Sequence, residues 1–248
     1  MEVGFRTDKG KKRTNNEDAC YVLLPEKAYV ICDGVGGGNS GEIASRTAVS
    51  EIAGYIMDKP ISSVSDKYEL VNYLQDALEH ANSKIFEMAN NYVENTGMAT
   101  TCVVLHIAED KAYIANIGDS RAYIFRDGQL CQLTEDHTYV NTLVKAGILS
   151  KEEAEVDERK NVITRALGAE VSVEPDYFQV DIFEGDIFVI CTDGLYDEVE
   201  SAEMVEILNK RLSMSDTAYE LIARANENGG HDNITVICLR VTEEDIDE

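Results

Sequence analysis

Short apolar runs dominate both ends of the chain: residues 19–24, 28–32, 101–107, 112–117, 122–125, 186–192 and 233–241, most of them rich in Val, Ile, Tyr or Cys and broken by Gly, Asp or Asn. Runs of this length and composition predict β-strands. Between them, residues 41–57 place Ile43, Thr47, Ile52 and Ile56 at helical spacing, and residues 66–94 repeat apolar side chains at Val71, Leu74, Leu78, Ala81, Ile85, Met88 and Tyr92. Both predict amphipathic helices whose Met and Tyr belong to a core rather than to a cofactor box. Further helices are expected over 139–158, 201–212 and 216–228. Strands, a helix pair, then strands, helices and strands again predict an α+β fold: a central antiparallel β-sandwich flanked by helix pairs.

Composition narrows the class. The chain has 248 residues, with Pro scarce (3) and Gly (17) scattered, so no linker divides it and a single domain over 1–248 is expected. The polar start and the strand-length apolar runs predict no signal peptide and no membrane span, hence a cytoplasmic protein. Six cysteines without a Cys-x-x-Cys pair read as buried reduced thiols. A formal charge of −25 argues against a nucleic-acid partner, whose phosphates need Lys and Arg. If the substrate is a phosphate ester, cations held by some of the 47 carboxylates must offset that field.

Acidic residues recur at one structural place. Tyr-Val-Ile-Cys-Asp33-Gly34 and Phe-Val-Ile-Cys-Thr-Asp193-Gly194 are near copies, each an apolar strand that stops at Asp-Gly; Gly118-Asp119 stops another strand, and Asp232 opens the last. Taken singly, each is an ordinary turn. Taken together, several carboxylates at one rim of a sandwich repel unless cations sit among them. Asn16-Glu17-Asp18 can add two more. Hard oxygen donors without Cys or His suit Mg²⁺ or Mn²⁺, and a pair of such ions can activate water for attack on phosphorus.

Six motifs now stand in order: Arg13-Thr-Asn-Asn-Glu17-Asp18, Asp33-Gly34-Val-Gly36-Gly37, Gly118-Asp119-Ser120-Arg121, Ile163-Thr-Arg-Ala-Leu-Gly168, Thr192-Asp193-Gly194-Leu195 and Gly229-Gly-His-Asp232-Asn-Ile-Thr235. In order and spacing they resemble the metal-dependent type 2C protein phosphatases over nearly the whole chain, and are similar to the short bacterial members that consist of the catalytic domain alone. The resemblance implies a metal-dependent protein serine/threonine phosphatase with a binuclear Mn²⁺ or Mg²⁺ centre. It implies that Asp33 bridges both ions, that Glu17 and the Gly34 carbonyl complete one site, and that Asp193 and Asp232 bind the other ion. Asp18 holds metal-bound water, and Asp119 with Asp193 forms a weaker third site. Arg13 is the expected phosphate clamp, since a guanidinium fork matches two phosphate oxygens. The implied reaction is direct attack by water or hydroxide bridging the ions, with no phosphoenzyme; no Cys-x5-Arg loop offers a cysteine nucleophile. Phosphorylated proteins and a cognate Ser/Thr kinase are the implied partners, and a monomer the implied state.

The match departs in two places. Some relatives carry a His in Asp-Gly-His-Gly-Gly where this chain has Val35, which leaves the general acid unassigned. His231, beside Asp232, and His137, in a stretch matching a recurring Asp-His-Ser, are weak candidates; His80 and His106 have none. The segment 138–161 corresponds to a mobile flap, but Asp157-Glu158-Arg159-Lys160-Asn161 replaces the usual His-Pro before Arg-Asn. The alternatives are a hydrolase of small phosphate esters, a pseudophosphatase that only binds partners, and a two-metal nuclease, the last disfavoured by charge.

Overall fold

The structure, a computed structural model, describes residues 1–37, 40–64 and 66–245. The chain runs β1 (Glu2–Asp8), β2 (Asp18–Leu23), β3 (Ala28–Val35), α1 (Ser40–Asp58), α2 (Lys67–Asn91), β4 (Ala99–Thr100), β5 (Cys102–Ala108), β6 (Lys111–Ile117), β7 (Arg121–Arg126), β8 (Gln129–Gln132), α3 (Tyr139–Lys145), α4 (Lys151–Val156), β9 (Asp176–Asp181), β10 (Ile187–Cys191), α5 (Asp193–Tyr196), α6 (Ser201–Leu208), α7 (Met214–Asn228) and β11 (Ile234–Arg240). Two antiparallel sheets result, one in the order β1-β11-β10-β7-β8 and the other β2-β3-β5-β6-β9, with β4 beside β3.

Alternate residues of the strands serve two cores. Tyr29, Ile31, Val103 and Leu105 face Ile124, Phe188, Ile190, Ile237 and Leu239 between the sheets. Val30, Cys32, Cys102 and Val104 pack outward against Ala44, Ala48, Ile52, Leu74 and Leu78 of α1 and α2. On the other side Val189, Cys191, Val236 and Cys238 meet Met204, Ile207, Leu221 and Ala225 of α6 and α7. The expected four-layer α+β sandwich is therefore present, and burial of both strand faces explains why the strands read as unbroken apolar runs.

The expectations needed correction where one face is wet. The polar opening contains an edge strand, β1, whose Phe5 is 58% exposed; pairing with β11, not apolar content, makes it a strand. Strands β8 and β9 were missed for the same reason, being mostly half-buried or exposed at sheet edges. Ile43 and Tyr92 are exposed, and the buried stripe of α1 is Ala44, Ala48, Val49, Ile52, Ala53 and Ile56. The single helix expected over 139–158 is two, because Gly147 takes φ of +70° and Ser150 starts a fresh helix with a capping box to Glu153. Cys131 is an exposed thiol on β8, not a buried one, although all six cysteines are free. Among the described residues, no helix is long and apolar enough to cross a membrane.

Candidate active site

Antiparallel pairing brings the acidic strand ends to one rim. Asp18 opens β2 directly opposite Asp33 near the end of β3. The end of β10 at Cys191 pairs with Val236, close to the start of β11, so Asp193 and Asp232 emerge side by side. Bare backbone lets these loops touch: a Cβ on Gly194 would lie 2.0 Å from the Asn233 carbonyl oxygen, and one on Gly34 would lie 2.0 Å from that of Gly41. Gly41 in turn leaves open the gap between the Gly34 carbonyl and the Glu17 side chain, since a Cβ there would sit 2.7 Å from the Gly34 oxygen and 2.9 Å from Glu17 Cδ.

The carboxylates are held while their charges conflict. The Asp33 amide donates to Thr101 Oγ1 (3.0 Å), and its carbonyl accepts from the Thr101 amide (2.9 Å) and the Thr100 hydroxyl (2.7 Å). Burial, then the negative charges of Asp18, Asp193, Asp119 and Asp232, raise the Asp33 carboxyl well above the usual range. Burial and the charges of Asp119, Asp232 and Asp18 do the same to Asp193. Asp119 is pushed up to about 6 by burial and by Asp136. Burial lifts Asp18 to about 7 against the opposing hydrogen bonds of Thr235 and Thr192. Asp18 Oδ1 and Asp193 Oδ1 are buried without any hydrogen-bond partner. Buried acceptors left unpaired among like charges need a cation or bound water, and oxygen-only donors fit Mg²⁺ or Mn²⁺. Among the described residues no three His, Cys, Asp or Glu side chains close around a single ion. Hard cations that keep several waters do not require such a cage.

Residues 11–234 match the family model described as Protein phosphatase 2C. The chain belongs to the protein phosphatase 2C family. It is 38% identical over 242 residues to the serine/threonine phosphatase stp of Listeria innocua, covering 96% of this chain and 95% of that one. The fold matches a Streptococcus agalactiae serine/threonine phosphatase with a TM-score of 0.90 at 35% identity, covering 97% and 99% of the two chains. It also matches the catalytic domain of the serine/threonine protein phosphatase PstP in complex with two manganese ions, with a TM-score of 0.85 at 34% identity over 97% and 98%.

In this phosphatase 2C chain Arg13 stands at the same rim, its Nη2 donating to Asp232 Oδ2 at 2.6 Å while half exposed. Asn233 fastens the loop that carries it. Its Oδ1 accepts from the Glu17 amide (2.7 Å), and its Nδ2 donates to the Lys9 and Asn15 carbonyls (both 2.9 Å). Sequence reasoning gave no role to Asn233, nor to Thr101, Thr192 and Thr235, although three of the four stand inside the quoted motifs. Their hydroxyls and amide act across 19 to 224 positions of sequence, a relation no local pattern encodes.

The histidines divide. His231 is exposed, its Nδ1 2.6 Å from Glu198 Oε1. His137 is buried with Nδ1 against the Gly118 amide and Nε2 against Asp176, so both ring nitrogens are already engaged. The altered flap end is fastened by ion pairs. Asp157 takes Arg159 at 2.9 and 2.8 Å, Arg159 lies over the Tyr139 ring at 4.9 Å, and Lys160 reaches Asp197 at 3.0 Å.

Proposed function

We propose that this phosphatase 2C hydrolyses phosphoserine and phosphothreonine on proteins, residues 1–248 acting as one catalytic domain with 138–161 as its flap. The observation that carries this reading is the pair of orphaned buried oxygens, Asp18 Oδ1 and Asp193 Oδ1, among mutually repelling carboxylates beside Arg13. We assign Asp33, Glu17, the Gly34 carbonyl, Asp193 and Asp232 as the groups that would hold two Mn²⁺ or Mg²⁺ ions, and Asp119 with Asp193 as those that would hold a weaker third. When bound, such ions lower the pKa of water and neutralise phosphate charge.

The chain's own groups supply the rest. Asp18, with Oδ2 taken by the Thr192 and Thr235 hydroxyls, has only Oδ1 left to orient water. Arg13 exchanges its bond to Asp232 for the phosphate, where its fork matches two equatorial oxygens. Attack of water on phosphorus forms one P–O bond and breaks the ester bond to the Ser or Thr oxygen, which leaves with a proton. Neither Val35 nor the buried His137 supplies that proton, so solvent at the metal rim is the simplest source.

A cognate Ser/Thr kinase sharing its substrates, a monomeric state and a cytoplasmic location are part of this proposal and are supported by analogy with the family only. A partner-binding role without catalysis has no support from the comparisons. The deciding experiment is phosphate release from a phosphothreonine peptide, and from small phosphate esters, with Mn²⁺, with EDTA, and with Asp193→Asn. Mn²⁺-dependent release from the peptide that collapses in the variant is expected. Release from small esters only, or none with metal bound, would overturn the assignment.

A further inference from the structure

The turn that aims Asp119 is held from outside its own strand. Gly118 follows β6 with φ of +99°, and a Cβ there would lie 2.5 Å from Thr101 Cγ2, so the turn is packed tightly on one side. On the other side both of its backbone polar groups meet His137, the carbonyl also accepting a longer bond from Asn116 Nδ2 at 3.4 Å. The Gly118 amide donates to His137 Nδ1 at 3.1 Å, and the Gly118 carbonyl accepts from the His137 amide at 2.9 Å.

A backbone amide can only donate, so Nδ1 carries the lone pair and Nε2 the proton. Nε2 donates to Asp176 Oδ2 at 3.1 Å. Arg165 Nη1 holds that carboxylate through Oδ1 at 2.9 Å while also donating to the Glu174 carbonyl at 3.1 Å. His137 is 5% exposed, so its ring is shielded from water although Asp176 and Arg165 stand partly exposed, and burial lowers its imidazole below its ordinary pKa. The chain Arg165, Asp176, His137, Gly118 thus fixes a tautomer and a peptide plane one residue before Asp119.

We propose that His137 is a positioning residue for Asp119: its Nδ1 orients the Gly118 peptide and so the direction in which the Asp119 carboxylate faces Asp193. The consequence for metal rests on the reading of Asp119 as a ligand of the third ion. Residues that orient a ligand typically change metal affinity about 10- to 100-fold when replaced.

Two replacements separate the two nitrogens. His137→Asn keeps an acceptor near Nδ1 and loses the reach to Asp176; His137→Gln keeps a donor near Nε2 and loses the acceptor. Mn²⁺ binding is titrated by calorimetry, amide exchange at Gly118 is followed by NMR in EDTA, and unfolding midpoints are taken in EDTA. His137→Gln is expected to speed exchange at Gly118 and to weaken the weakest Mn²⁺ site about tenfold or more. His137→Asn stays near wild type in both. Equal behaviour of the two variants, or a fall in midpoint with Gly118 still protected, overturns the proposal. Asp119→Asn is the control for the other reading. If it leaves Mn²⁺ binding unchanged the third-ion assignment fails, and exchange at Gly118 still decides the role of His137.

Discussion

Asp18 and Asp33 face each other across the β2–β3 ladder, and the Thr235 and Thr192 hydroxyls occupy only one oxygen of Asp18, at 2.7 and 2.9 Å. Thr235→Val removes one of the two donors that oppose the upward push of burial on this carboxyl, which stands at about 7. In EDTA, Asp18 should then hold its proton to higher pH. The measurement is the carboxyl carbon chemical shift of Asp18 against pH without metal, whose midpoint should move upward while the fold, read by circular dichroism, persists. An unmoved midpoint would count against the two hydroxyls holding Asp18 as a carboxylate.

Metal removal should expose the repulsion at the rim. The folded-state pKa of Asp193 is raised, so the folded protein retains a proton that the unfolded chain has released. Its contribution to stability is present below the unfolded value near 4 and is lost as pH rises through the folded value. In EDTA, Asp193→Asn is expected to unfold at a higher temperature than wild type at pH 8, with the gap closing toward pH 4. A gain of about 1 kcal/mol corresponds to about 2–4 °C in a chain of this size. Mn²⁺ should reverse the order by stabilising the wild type more than the variant.

His106 should act in the opposite direction. It is 3% exposed, its Nε2 has no partner, and burial lowers it from 6.5 to about 4. The unfolded chain binds the proton first, so stability falls as pH drops from about 6.5 toward about 4, by up to about 3 kcal/mol. Replacing it by a neutral side chain, His106→Gln, should flatten the acid side of the curve of denaturation midpoint against pH.

Arg13 should be visible in kinetics more than in folding, because it is half exposed and its pairing with Asp232 is a surface one. Hydrogen bonds to charged groups are typically about 1.5–3 kcal/mol. Arg13→Ala is therefore expected to lower kcat/KM about 10- to 100-fold and to weaken inhibition by inorganic phosphate, at nearly unchanged midpoint. Arg13→Lys should recover only part, since a point charge lacks the fork.

Much of this was legible in the residues. The near-copied strands ending at Asp33-Gly34 and Asp193-Gly194 announce both sheets and the rim they share, because a strand buried on both faces must be apolar to its last paired residue. Edge strands carry no such signal: β1, β8 and β9 owe their conformation to a neighbour's backbone. The helix break at Gly147 and Ser150 was written in cap chemistry, which overrides apolar spacing.

Sequence alone determined the fold class, the family and the carboxylates of the rim, since apolar periodicity and Asp-Gly strand ends are local and recur in order along the chain. Tertiary structure decided which oxygens are left unpaired. Thr235 lies 217 positions from Asp18 and Asn233 lies 216 from Glu17, and His137 reaches Gly118 from beyond two strands. Hydrogen-bond partners chosen at that distance depend on how two sheets stack, a property of the whole chain and of no segment in it.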